Sequence, residues 1–148
     1  MVRIRHQLKT EGQRVVFTNG VFDILHRGHV EYLEQAKNHA DILVLGLNTD
    51  NSVRRLKGSS RPYVKEQDRA YIVSRLEAVD VVCLFDEDTP LELLKKVRPD
   101  YLIKGGDYRL DQIVGRELVE SQGGQVLTIP FIEGKSSTSI IDQIKNEK

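Results

Sequence analysis

His26 and His29 stand three residues apart in the run His26-Arg27-Gly28-His29. On one helical turn two imidazoles at this spacing face the same way, because side chains three and four apart are neighbours. Gly28, between them, has no side chain and lets a ligand approach the main chain. A helix start adds unpaired N–H groups and about half a positive charge, which together attract phosphate. Two ring donors, a bare stretch of backbone and a helix N-terminus suit a phosphate chain better than an apolar substrate. His-x-x-His also occurs in metal sites, but no third Cys, His or carboxylate is spaced nearby as zinc requires, so no metal is assigned to the side chains.

The segments around this pair read as the elements that must hold it. Val15-Val16-Phe17 is a short β-branched and aromatic run, a buried strand. It is expected to stop at Thr18-Asn19-Gly20, a turn-forming trio whose glycine takes φ > 0. After Asp23 a helical pattern follows through Val30, Leu33, Ala36 and Lys37. Asp41 to Leu47 is a second, continuously apolar strand of the kind a parallel sheet covered on both faces produces. It is read as ending in a polar loop, Asn48-Thr49-Asp50-Asn51, followed by a short helix over Ser52 to Leu56 and a loop at Gly58 to Pro62.

Further along, Glu66 to Val79 has helical spacing, Val81 to Phe85 is a third strand, and Thr89 or Pro90 opens a helix to about Val97. Tyr101-Leu102-Ile103 begins a fourth strand closed by Gly105-Gly106. Residues 111–122 read as a helix stopped by Gly123-Gly124, Gln125 to Pro130 as a fifth strand, and Ser137 to Lys145 as a last helix. Strand and helix alternate throughout. The pattern predicts an α/β fold, a Rossmann-like doubly wound sheet of five parallel strands. One domain is expected over 1–148, with a core of about 13–145 and an N-terminal extension of helix-permissive residues over 1–12. Ligands of such sheets gather at the carboxyl ends of the strands.

Charge narrows the partners. Acidic and basic residues balance, 22 against 22, with a sequence pI near 6.9. No basic excess argues for nucleic acid, and no basic amphipathic stretch argues for a membrane surface. The single cysteine, Cys83, lies in a strand-like run and reads as core filler; one cysteine without a partner fits a reducing compartment. Met1 to Gln13 carries charges and no apolar core, so it does not read as a signal peptide, and a cytoplasmic location is expected. Neither common phosphate motif is present. No G-x-G-x-x-G follows the first strand, and Gly134-Lys135-Ser136 resembles the end of a P-loop whose first glycine would fall at Ile129.

The run Thr18-Asn19-Gly20-Val21-Phe22-Asp23-Ile24-Leu25-His26-Arg27-Gly28-His29 resembles the G-x-F-D-x-x-H-x-G-H signature of the cytidylyltransferase-like nucleotidyltransferases. The longer match is to their D-glycero-D-manno-heptose 1-phosphate adenylyltransferase branch. It runs through Val53 to Gly58, Asp68-Arg69, Leu76 to Asp80, Asp88 to Leu93, Lys104 to Tyr108 and Ile129-Pro130-Phe131. This resemblance implies attack of a sugar 1-phosphate oxygen on the α-phosphorus of ATP, giving ADP-heptose and pyrophosphate for lipopolysaccharide core or related glycan precursors. Bifunctional relatives of this branch carry a sugar kinase domain; within these 148 residues only the transferase is expected, and a separate kinase would make the acceptor.

Roles follow from the same resemblance. His26, His29 and Lys57 are the implied catalytic set. The segment Thr18, Asn19, Gly20, Val21 and Phe22 is expected to hold the nucleotide, with Gly28, Gly105, Asp107, Ser137 and Thr138. Asp23, Arg54, Arg55 and Arg61 are expected around the substrate phosphate, Asp23 by orienting its loop. The hydroxyl-rich Ser136 to Ser139 matches the family's second signature, which often carries a basic residue a few positions later. Here Ile140, Ile141 and Asp142 fill that region, leaving Lys135 or Lys145 to supply the cation. Mg²⁺ is expected to arrive with ATP, held by the phosphates and water. A homodimer is expected from how often such domains pair. Two other readings remain open here: a glycerol-3-phosphate cytidylyltransferase, and a nucleotide-binding regulatory module without turnover.

Overall fold

The strands form one parallel sheet in the order β3-β2-β1-β4-β5, with β1 Val15–Gly20, β2 Ile42–Asn48, β3 Val81–Phe85, β4 Tyr101–Gly105 and β5 Gln125–Ile129. The computed structural model describes residues 2–106, 108–130 and 137–147. Seven helices connect and flank the strands: α1 Val2–Thr10, α2 Arg27–Lys37, α3 Asp50–Lys57, α4 Glu66–Ser74, α5 Leu91–Val97, α6 Arg116–Ser121 and α7 Ser137–Asn146. The predicted doubly wound architecture is the one observed.

Strand alternation explains why every strand reads as apolar. Val16 and Leu43, Leu45 and Leu47 point to one side, where Leu33 and Ala36 of α2 and Val73 of α4 cover them. Val15, Phe17, Val44 and Leu102 point to the other, against Leu94 and Val97 of α5 and Val119 of α6. Successive side chains take opposite faces, and both faces are buried, so no polar residue interrupts the run Ile42 to Leu47 of β2. Cys83 is half-buried against the second cluster, and burial pushes its thiol pKa up. The segment before residue 13, read as an extension, is tied in: Arg5 of α1 is buried and donates to the carbonyl of Arg98 and to Asp100.

The chain runs outward from β1 through β2 to β3, then crosses back to place β4 on the other side of β1. That reversal is a topological switch point, where open α/β sheets form a crevice. Here the crevice has a visible cause. β1 pairs with β2 all the way to Gly20↔Leu47, but its ladder with β4 covers only Val16↔Tyr101 and Phe17↔Leu102. Beyond Phe17 the two strands part.

Several boundaries differ from expectation. Thr18-Asn19-Gly20 is not a turn; it completes β1, its backbone satisfied by β2. Asn48 to Asn51 is no loop: Asn48 ends β2, Thr49 caps α3 by accepting from the Ser52 N–H, and Asp50 opens the helix. The helix expected over Glu66 to Val79 stops at Ser74. The one expected over 111–122 is broken into a 3₁₀ turn at Leu110–Gln112 and the short α6, because Ile113 is drawn into the core and Gly115 takes φ 91°.

Candidate active site

A cleft of about 840 Å³ opens at the carboxyl ends of β1 and β4, within the size range of small-ligand sites. Asn19, Gly20, Val21, Phe22 and Asp23 line one wall, Lys104 and Gly105 another, and the first turn of α2 brings His26, Gly28 and His29 to its mouth. Lys57 and Arg61 lie on the rim that follows β2, and Thr138 on the rim formed by α7.

The histidines build each other's geometry. His26 is the N-cap of α2, and its Nδ1 accepts from the Gly28 N–H at 3.0 Å. His29 returns the favour: its Nδ1 accepts from the His26 N–H at 3.3 Å, closing a capping box made of imidazoles. The rings stack at 3.9 Å with 26° between their planes, and the Phe22 ring sits 5.0 Å from His29. A nitrogen that accepts carries no proton, so each neutral ring has its hydrogen on Nε2. Burial, aided by repulsion from His26, lowers the His29 pKa from 6.5 to about 4. His29 is therefore a neutral donor near pH 7. The expectation that the Gly28 main chain is bare is corrected in one respect: the cleft reaches Gly28, but its N–H is already spent on His26.

Gly20 is needed for a close approach and not for an unusual φ. A Cβ there would lie 2.8 Å from the Phe22 ring. The left-handed residue is Phe22 itself, at φ 50°, a costly conformation for a bulky side chain that turns the ring back over Gly20 and against His29. Thr18 is fully buried, and its hydroxyl lies 2.6 Å from the Tyr32 hydroxyl of α2. Tyr32 in turn donates to the Ile103 carbonyl of β4 at 3.1 Å, so the Thr18 hydroxyl supplies the other hydrogen. Burial raises the Tyr32 pKa to about 12. This phenol bridges β1 and β4 just where their ladder has ended. Sequence reasoning missed it, because Tyr32 reads only as one more position of an amphipathic helix.

Asp23 lines the cleft wall and, as expected, orients a loop. Its carboxylate is buried and accepts from Arg61 Nε at 2.8 Å and from the N–H groups of Tyr63 and Val64. Burial alone would raise its pKa; the two backbone donors and Arg61 outweigh that and hold it below 3.8. Arg61 reaches the cleft wall as half of this ion pair. Arg54 and Arg55, expected at the substrate phosphate, do not line the cleft. Arg54 donates to Asn51 of its own helix, and Arg55 donates to Asp88 at 2.9 Å and to the Asp86 carbonyl, because α3 turns the Arg55 side chain toward the acidic turn after β3. Lys57, the last residue of the same helix, does line it. Asp107 and the side chain of Ser137, with Lys135 and Ser136, fall outside the described residues.

Two further residues escaped sequence reasoning. Lys104 lines the cleft at the end of β4, half-buried, with its ammonium 5.9 Å from the Tyr108 ring. Arg69 of α4 is 1% exposed and donates to the carbonyls of Val21, Asn48 and Val64 and to Asp50. Among the described residues no group of three His, Cys, Asp or Glu side chains is placed to hold a metal.

Comparison with known proteins agrees with this architecture. The family model described as cytidylyltransferase-like matches residues 17–143. A bifunctional protein HldE of Geobacter sulfurreducens is 56% identical over 136 residues, covering 92% of this chain and 28% of that protein. The HldE of Syntrophotalea carbinolica is 53% identical over 150 residues, covering 97% and 31%. The chain thus spans under a third of the length of these relatives. Among solved structures, the lipopolysaccharide core biosynthesis protein of Thermoplasma volcanium superimposes with a TM-score of 0.67 at 31% identity, over 82% of this chain and 98% of that one. The imidazole-capped helix at the switch point thus sits on a fold and a sequence shared along nearly the whole chain: it belongs to the cytidylyltransferase-like family.

Proposed function

We propose that the protein is an adenylyltransferase that joins AMP from ATP to a heptose 1-phosphate, releasing pyrophosphate. The observation that carries this reading is the locked histidine pair, two stacked rings whose Nδ1 atoms each accept a backbone N–H, at the mouth of a cleft on the switch point. In-line nucleotidyl transfer needs little covalent help. It needs alignment and stabilisation of charge on the phosphoryl oxygens. His26 and His29 donate to the non-bridging oxygens of the α-phosphate, where charge gathers as the acceptor oxygen attacks. Lys57 offsets charge on the rim after β2, and Phe22 and Gly20 shape the wall against which the nucleotide lies. Mg²⁺ enters as part of the MgATP substrate.

The choice of adenine and heptose is supported by the HldE likeness and by the resemblance of the Val53–Gly58 and Lys104–Tyr108 segments; a place in lipopolysaccharide core synthesis is supported by the Thermoplasma volcanium protein's description. Pyrophosphate release, assayed with ATP and CTP against heptose 1-phosphate and glycerol 3-phosphate, tests the reading. Turnover with ATP and heptose 1-phosphate is expected. Turnover only with CTP and glycerol 3-phosphate overturns it in favour of a polyol cytidylyltransferase, and tight ATP binding without turnover in favour of a regulatory module. No helix among the described residues is long and apolar enough to cross a membrane, and a cytoplasmic enzyme is proposed. A homodimer is proposed with it, supported by the exposed Leu84 on the sheet-edge strand β3 and the exposed Tyr71 and Ile72 on α4; sedimentation tests that point.

A further inference from the structure

Among the described residues, three Lys and Arg side chains line the cleft: Lys57, Arg61 and Lys104. Arg61 is committed to Asp23. Lys57 stands on the rim that follows β2. Lys104 is the last residue but one of β4, on the other side of β1 from β2, and shares its side of the sheet with β5 and the α7 rim bearing Thr138. The two remaining cations therefore flank the histidine pair, one on each side. A transfer between two anionic reactants needs this arrangement, since each brings its own negative charge to the reacting phosphorus.

Among the described residues, Lys104 is poorly served by the protein. Its ammonium is half-buried, no carboxylate among those residues pairs with it, and the Tyr108 ring lies 5.9 Å away. A charge drawn out of water without a counter-charge is costly, and its pKa is pushed down by burial accordingly. An anionic ligand in the cleft supplies what is missing. The first turn of α7 offers hydroxyls but no cation, and the basic residue of that helix, Lys145, lies in its last turn away from the cleft. Among the described residues, Lys104 is thus the cation that lines the cleft on the side of the α7 rim.

We propose that Lys104 holds the β- and γ-phosphates of the nucleoside triphosphate, the portion that leaves as pyrophosphate. The inference rests on the nucleotidyl-transfer reading above and assigns the poles of that site. As the acceptor oxygen forms its bond to the α-phosphorus, the bond from that phosphorus to the bridging oxygen of the β-phosphate breaks. The electron pair departs with pyrophosphate, and the Lys104 ammonium stabilises it without giving up a proton. Lys57, on the opposite rim, is left to face the acceptor phosphate.

The test is calorimetric binding of inorganic pyrophosphate and of AMP to the full chain, wild type against Lys104→Met and Lys104→Arg. Methionine keeps the packing stem and removes the charge. Pyrophosphate should bind roughly 10- to 100-fold more weakly to Lys104→Met, with partial recovery in Lys104→Arg and AMP affinity unchanged. Equal loss for AMP and pyrophosphate overturns the assignment, placing the lysine at the α-phosphate or in general support of the site. Unchanged pyrophosphate binding in a variant with wild-type thermal midpoint also overturns it. Because neither ligand requires turnover, the outcome stands apart from the substrate assay: no activity with any nucleotide and acceptor would sink the function while the binding series still decides the role of Lys104.

Discussion

At the residue scale, His26 holds two jobs on its two ring nitrogens. Nδ1 caps α2, and Nε2–H is the donor that the proposed mechanism uses. Asparagine is among the best N-cap residues but lacks the second nitrogen at that reach, so His26→Asn separates the two. Its thermal midpoint should stay near wild type, while turnover falls about 10²–10³-fold, the usual effect of losing one aimed donor. His26→Ala should lose the same activity and a further ~1 kcal/mol of stability in urea titration. His29 makes a pH prediction. Its pKa is about 4 in the folded protein against 6.5 for an unperturbed histidine, so between those values the unfolded chain binds the extra proton. Stability must then fall as pH drops from 6.5 towards 4, by an amount on the order of 2 kcal/mol given the ring's partial exposure. His29→Gln should flatten that slope; an unchanged slope would show that another group produces it.

At the element scale, the loop over residues 58–64 is held by a single carboxylate at the entrance to α2. Asp23 gathers Arg61 and two backbone N–H groups, and each would be left short of a partner without it. Asp23→Asn keeps the size but leaves Arg61 without its counter-charge, and should cost about 2–3 kcal/mol, comparable to other charge-assisted contacts. Hydrogen exchange should speed up at Tyr63 and Val64 ahead of β1, and the wild-type protein should lose the same stabilisation on acidification, as pH falls below 3.8 through the lowered pKa. These elements were legible unevenly. The strands and their parallel arrangement showed in sequence because both faces are buried, which leaves continuous runs such as Ile42 to Leu47. Arg54 and Arg55 read as site cations because spacing reveals a cluster but not the direction a helix turns it. The acidic turn that claims Arg55 is 31–33 residues away in the chain, and only folding brings it there.

At the scale of the whole molecule, the net charge is zero, yet the cleft gathers cations and neutral donors at the place where the sheet reverses. Something must hold the separate strand ends there in register, and the structure answers with Arg69. An arginine on a helix ordinarily reads as solvated surface, which is why its sequence neighbourhood gave no hint of burial. Its guanidinium reaches the carbonyl of Val21 beyond β1, the carbonyl of Asn48 at the end of β2, the carbonyl of Val64 behind the Asp23 loop, and the carboxylate opening α3. Three segments of the site wall thus converge on one side chain. Arg69→Met fills the space with an apolar stem but leaves three carbonyls and Asp50 without their donor. The expected loss is about 3–5 kcal/mol, the range found when one partner of a buried pair is removed. Since a domain holds only about 5–15 kcal/mol in all, the variant should unfold at markedly lower urea concentration. Lysine gives the finer comparison, because it keeps the charge but not the planar fork that serves several acceptors at once. Arg69→Lys should fold, yet bind ATP more weakly and turn over more slowly than wild type, since the wall carrying Val21 and Phe22 loses a fixed distance to β2. Wild-type kinetics in a folded Arg69→Lys protein would show that packing alone sets that wall.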